Sequence, residues 1–193
     1  FVVSVMASKA RAALRGGGGI DKTRLLEEAT IAGAAPELVR ALVQAGAVVR
    51  VGTWPPVLNI FAKSMERGKF DLSLPGGGEI EFEKVHPLDA AFDTPEDVPE
   101  EIREDKRYRE LSGYTIQEVA DTLRDELGEG CLDILVHALA NGPEVQKPLV
   151  DTSRAGYLAA VSASAYSMVS LVQRFGPLMS CLLYTSPRPR DRG

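Results

Sequence analysis

Three short stretches of this chain place small and polar residues straight after apolar runs: Gly52-Thr53-Trp54, His86-Pro87-Leu88-Asp89-Ala90, and His137-Ala138-Leu139-Ala140-Asn141-Gly142. At the end of a buried strand, such residues let backbone approach a flat ligand closely, with an indole face for stacking and a carboxylate for accepting a hydrogen bond. Each stretch also has a plainer use, since Trp54 could simply pack and Asp89 could cap a turn. Metal chemistry is not indicated. Cys131 and Cys181 stand far apart outside any CxxC pattern, and neither His86 nor His137 has a companion at ligand spacing.

For three strand ends to act together, the strands must lie side by side and point the same way. From about residue 29 the sequence alternates β-branched runs with amphipathic helical stretches, which predicts βαβ units. The expected fold class is α/β: an incomplete doubly wound, Rossmann-like parallel sheet with helices on both faces. Residues 36–45 read as a helix with Pro36 in its first turn and Gly46 past its end, and 47–53 as a buried strand interrupted only by Arg50. A Pro-Pro corner, a short helix through Met65 and a glycine turn at 76–78 follow, then a strand over 79–85. Residues 94–109 are highly charged and read as a solvated, partly helical excursion. Thr115 and Glu118 form a capping box that opens a helix with Ile116, Val119, Ala120, Leu123 and Leu127 on one face, ending at Gly128. Residues 132–136 are the next buried strand. Residues 151–175 make the longest helical pattern, whose seam at 158, 161, 165, 168, 172 and 175 is expected to face the core. Its other side is weakly polar too, so protein is expected on more than one side.

The domain organisation that follows is a transit-like or misread stretch over 1–28, a partial dinucleotide-binding domain over 29–179, and a foreign tail over 180–193, where two prolines and three arginines break every earlier pattern. Among 193 residues, 22 basic and 27 acidic side chains are intermingled for a net charge of -5, which argues against nucleic acid as a partner. No run of about 18 consecutive apolar residues is present, so no membrane partner is expected either.

Longer blocks carry a more specific signal. GTWPPVLNIF at 52–61, RGKFD at 67–71, PLDAAFDTPEDVPE at 87–100, DILVHALANGPEVQKPL at 133–149 and TSRAGYLAAVSASAYS at 152–167 resemble the plant, algal and apicomplexan branch of the enoyl-acyl-carrier-protein reductases. The resemblance covers roughly residues 38 to 179 and implies a relative of the short-chain dehydrogenases. That family reduces the trans-2 double bond of an acyl-carrier-protein thioester with NADH, delivering hydride to the β-carbon. By motif, Trp54 is expected against the adenine, Asp89 to accept from its amino group, and Ala90 to border the ring. Ala138, Leu139 and Ala140 are expected beneath the ribose and nicotinamide, and Asn141, Gly142 and Val145 around the acyl chain. The resemblance also implies a homotetramer, acyl carrier protein as partner, and a plastid location, with a bacterial cytoplasm as the alternative.

Three departures qualify these expectations. Position 138 is Ala where the family usually has Ser. Ahead of the first helix only Gly33-Ala34-Ala35-Pro36 stands where the family carries a glycine-rich phosphate loop. The family stabilises an enolate with a tyrosine, helped by a lysine six intervening residues on, yet no tyrosine here has a lysine at either the fourth or the seventh following position. No catalytic residue is therefore assigned, and the chain is expected to be a piece that does not turn over alone. Another short-chain reductase such as a ketoacyl reductase, or a non-catalytic nucleotide-binding or interaction module, remain as alternatives.

Overall fold

The computed structural model describes residues 3–8, 35–44, 46–139 and 142–180. A four-stranded sheet runs β3-β2-β1-β4, with β1 at Val3–Ser8, β2 at Val48–Thr53, β3 at Phe82–Pro87 and β4 at Ile134–Ala138. β2 and β3 pair in parallel. β1 is antiparallel to both β2 and β4, so β2, β3 and β4 all point the same way. Val3 is paired with Thr53 on one side and Ala138 on the other, which brings three strand ends to one sheet edge. The sheet is therefore mixed, and its antiparallel member comes from a segment for which the sequence pattern assigns no element. The poor strand candidate at 29–33 lies outside the described residues.

Helices cover both faces. α1 (Ala35–Gln44) stops at Gly46, which adopts a left-handed φ of 83° that favours glycine, while the Ala47 amide donates to the Leu42 carbonyl at 2.9 Å. The chain then reverses, so Val39 and Leu42 of α1 are buried against Val49 and Val51 of β2, with Ile134 and Val136 of β4 alongside. α2 (Pro55–Glu66) follows β2, and the short α3 (Glu100–Arg103) lies within the charged excursion. On the opposite face α4 (Ile116–Leu127) and the helix pair α5–α6 (Arg154–Val161, Ser167–Phe175) enclose Leu88, Ile116, Leu123, Leu132, Leu171 and Phe175. Fully burying one such Leu or Phe stabilises by about 1.5–3 kcal/mol relative to leaving it exposed. α4 starts as its sequence predicts, with Thr115 Oγ1 accepting from the Glu118 amide and the Glu118 carboxylate accepting from the Thr115 amide. The charged residue inside β2, Arg50, is buried and donates to Glu83 at 2.7 Å and Glu126 at 2.5 Å; Lys84 completes the cluster through Glu126.

Two strands are offset from their sequence bounds. Residues 79–80 belong instead to a hairpin around Gly77 and Gly78, with Ser73 bridged to Glu79, so β3 begins only at Phe82. Leu132 is held by Leu178 and Ser180 rather than by the body of β4.

The largest correction concerns the long helix. Its buried face is Gly156, Ser167, Ser170, Leu171 and Phe175; Phe175 closes the expected seam inside the core and Val172 is half-buried, whereas Leu158, Val161 and Met168 of that seam are 58%, 42% and 48% exposed. One cause is a π-turn at Ser162–Tyr166, which inserts a wider turn and shifts the helical phase. Another is close approach: a Cβ on Gly156 would sit 2.4 Å from a Glu144 oxygen, so a larger residue there would push the Glu144 carboxylate aside. The unbroken helical stretch 154–178 is also long and apolar enough by composition to cross a membrane, although no run of consecutive apolar residues marks it.

Candidate functional site at the carboxyl edge of the sheet

β2 leads directly into Trp54, whose carbonyl accepts from the Val57 amide at the start of α2; Pro55, at the first helical position, has no amide there to leave unpaired. The chain leaves β3 through Leu88, whose amide donates to the Thr53 carbonyl at 2.8 Å, so the two strand ends are stitched together. Asp89 follows and is buried. Its Oδ2 accepts from Trp54 Nε1 at 3.0 Å and from the Tyr108 hydroxyl at 2.7 Å, and its Oδ1 accepts from the Ala91 amide at 3.0 Å. Its own amide donates to the Tyr114 carbonyl at 2.7 Å.

Trp54 and Asp89, singled out separately in the sequence, are thus directly bonded. The third strand end lies on the same edge: Ala138 and Thr53 flank Val3, about 10 Å apart at two strand spacings. Ala90 packs against the core containing Leu88, and the Leu139 side chain is buried in that same core rather than offered to the surface. Gly142 lies close to Ala160, while Val145 is 77% exposed. Ala140 and Asn141 lie outside the described residues. Gly52 is also explained by packing, since a Cβ there would meet Leu88 Cδ2 at 2.7 Å.

Two groups were not legible beforehand. Tyr108 comes from the charged excursion, yet it is buried, and its ring meets Tyr114 edge-on at 5.0 Å; burial, then the Asp89 charge and hydrogen bond, pushes its hydroxyl far above the ordinary range. Val98, Phe92, Ile102 and Leu111 complete that small cluster. Glu144 holds the start of α5, accepting from the Ser153 amide at 2.7 Å and from Lys147 at 2.6 Å. His86, beside Arg50 and Glu126, is buried with Nε2 unpartnered among the described residues, and burial pulls its pKa down to about 4. His137 shares a 2.8 Å hydrogen bond with Ser167, which in turn donates to the Ala163 carbonyl across the π-turn.

Residues 112–181 match the family described as Enoyl-(Acyl carrier protein) reductase. The chain is 57% identical over 145 residues to the chloroplastic enoyl-[acyl-carrier-protein] reductase [NADH] 1 of Oryza sativa subsp. japonica, and 55% identical over 145 residues to the chloroplastic enzyme of Arabidopsis thaliana. Over these residues the chain is similar to enoyl-acyl-carrier-protein reductases. Each alignment covers 74% of this chain but only 38% and 37% of the respective relative, so the chain spans under two fifths of the length of the curated relatives it matches. The crystal structure of the Plasmodium berghei enoyl-acyl-carrier-protein reductase with triclosan superposes with a TM-score of 0.61 at 46% identity, covering 66% of this chain and 45% of that one. The reductase resemblance read from the sequence blocks is thereby supported, and so is the Rossmann-like fold class.

Proposed function

We propose that this chain is the nucleotide-binding part of an NADH-dependent enoyl-acyl-carrier-protein reductase of plastid fatty acid synthesis, an oxidoreductase acting on an enoyl thioester carried by acyl carrier protein. The observation that supports it best is the bonded pair Trp54–Asp89 at adjacent parallel strand ends, on the sheet edge where Ala138 also lies. Doubly wound sheets bind their ligands along that edge. In this reading the adenine lies against Trp54 and Ala90, and its amino group donates to Asp89 Oδ1, which has accepting capacity left beyond the Ala91 amide. Backbone at Ala138, Leu139 and Ala140 passes under the ribose and nicotinamide, and Asn141, Gly142 and Val145 border the acyl chain.

The described residues fit the adenine half of the dinucleotide and not its pyrophosphate. β1 enters this edge at its amino end, so no glycine turn leading from β1 into a helix stands here to present amides to phosphate. These residues alone therefore do not account for hydride transfer, and the sequence offers no Tyr-x6-Lys pair to stabilise an enolate. The exposed apolar face of α5–α6, including Tyr157, Leu158, Val161, Met168 and Val169, suits a second copy in the homotetramer that the reading implies.

Trp54 is the single tryptophan, so its emission reports on this edge alone. Titration with NADH should quench it saturably, and adding crotonyl thioester should consume no NADH. A flat titration at millimolar NADH would refute nucleotide binding at this edge, and turnover would overturn the absence of catalytic groups.

A further inference from the structure

Resting on the adenine assignment above, we propose that Tyr108 is a positioning residue for nucleotide recognition: its hydroxyl and the Trp54 indole together occupy Asp89 Oδ2, so that only Oδ1 is left to receive the amino group of adenine. The geometry is specific. Oδ2 receives two side-chain donors, at 2.7 Å from Tyr108 and 3.0 Å from Trp54, while Oδ1 receives one amide. A carboxylate oxygen holding two donors is close to saturated, whereas one holding a single donor still accepts. The same bonds lock the carboxylate rotamer and the indole plane, because both donors converge on one oxygen from different elements. Tyr108 can do this only because the excursion between β3 and α4 folds onto its own small core with Tyr114, Val98 and Ile102, so a strongly charged segment delivers an uncharged hydroxyl inward. The segment is thus part of the nucleotide site and sets its preference for an amino over a carbonyl substituent on the purine.

The test compares NADH with its hypoxanthine counterpart, which carries a carbonyl in place of the amino group, using quenching of Trp54 in the whole chain. The unmodified chain should favour NADH by about tenfold, as expected for one hydrogen bond to a charged group, and Tyr108→Phe should reduce that preference below about threefold. Ile102→Ala is the control, since it loosens the same small core without removing the hydroxyl; its preference should stay near that of the unmodified chain. Retention of the full preference by Tyr108→Phe, or an equal loss in Ile102→Ala, would show that Tyr108 is only a structural residue. If the unmodified chain binds NADH without discriminating the two purines, the Asp89 role fails while nucleotide binding stands; if it binds neither, the adenine assignment itself falls and this inference with it.

Discussion

His86 gives the most quantitative handle on this fold. His86 is 3% exposed, its Nε2 has no partner among the described residues, and its pKa is lowered from 6.5 to about 4 by burial first, then by Lys84 and Arg50, with Glu126 opposing. The folded state therefore keeps the ring neutral, while the unfolded chain takes up a proton near pH 6.5. Stability is complete above that value and falls as pH drops towards 4, because acid favours the state that binds the proton. Linkage over that interval gives a loss of about 2 kcal/mol at pH 5 and about 3 kcal/mol near pH 4. Urea midpoints at pH 7.5, 6, 5 and 4.5 should follow this curve, and His86→Phe should flatten most of it. His137, also lowered by burial, remains in both proteins and cancels in the comparison. Glu126, whose bonds to Lys84 and Arg50 hold it down at about 2, releases its contribution only in more acidic solution. Parallel curves for the two proteins would refute the buried, neutral assignment of His86.

Asp89→Ala should leave the buried Tyr108 hydroxyl and the half-buried Trp54 indole without their acceptor, costing about 1–3 kcal/mol for the buried hydroxyl and weakening NADH binding by about tenfold or more; an unchanged denaturation midpoint would count against the described network. Gly52→Ala pushes a methyl group against Leu88 in a filled core, with an expected loss of about 1–3 kcal/mol by thermal or chemical denaturation. In Gly156→Ala the added carbon displaces the Glu144 carboxylate from the Ser153 amide, so limited proteolysis between 142 and 153 should accelerate although the helix itself gains up to about 1 kcal/mol in propensity.

How far the sequence reveals the structure depends on how far apart the interacting groups lie. The start and stop of α4 were legible because Thr115 meets Glu118 three positions on, and Gly128 takes a left-handed φ of 82° where the helix ends. The carboxyl ends of β2, β3 and β4 were legible as well, since apolar runs followed by small or polar residues mark them. Tyr108 was hidden because its partner lies 19 positions away and its neighbours Lys106, Arg107 and Arg109 all read as solvated. The amino-terminal half of the α5–α6 seam misled, although Phe175 at its far end is buried, because periodicity reports that a stripe is apolar, not which stripe is inside. Small residues, Gly156, Ser167 and Ser170, take the inner side ahead of Leu171 and Phe175, and a π-turn moves the phase between them. The centre of the sheet was illegible for another reason: nothing local in the stretch Val3–Ser8 specifies an antiparallel partner between β2 and β4.

The outer side of β4 has a practical consequence. Its neighbour there is the single rung between Leu132 and Met179, so along Ile134–Ala138 a row of amides and carbonyls faces outward without a described strand to receive it. Such a border recruits whatever extended peptide is at hand, and the cheapest supply in a concentrated solution is another molecule of the same chain. Handling should therefore be dilute and cold-stored in small volumes, and slow growth of thioflavin-positive material would be the sign that this border, rather than the helical face, has begun to stick.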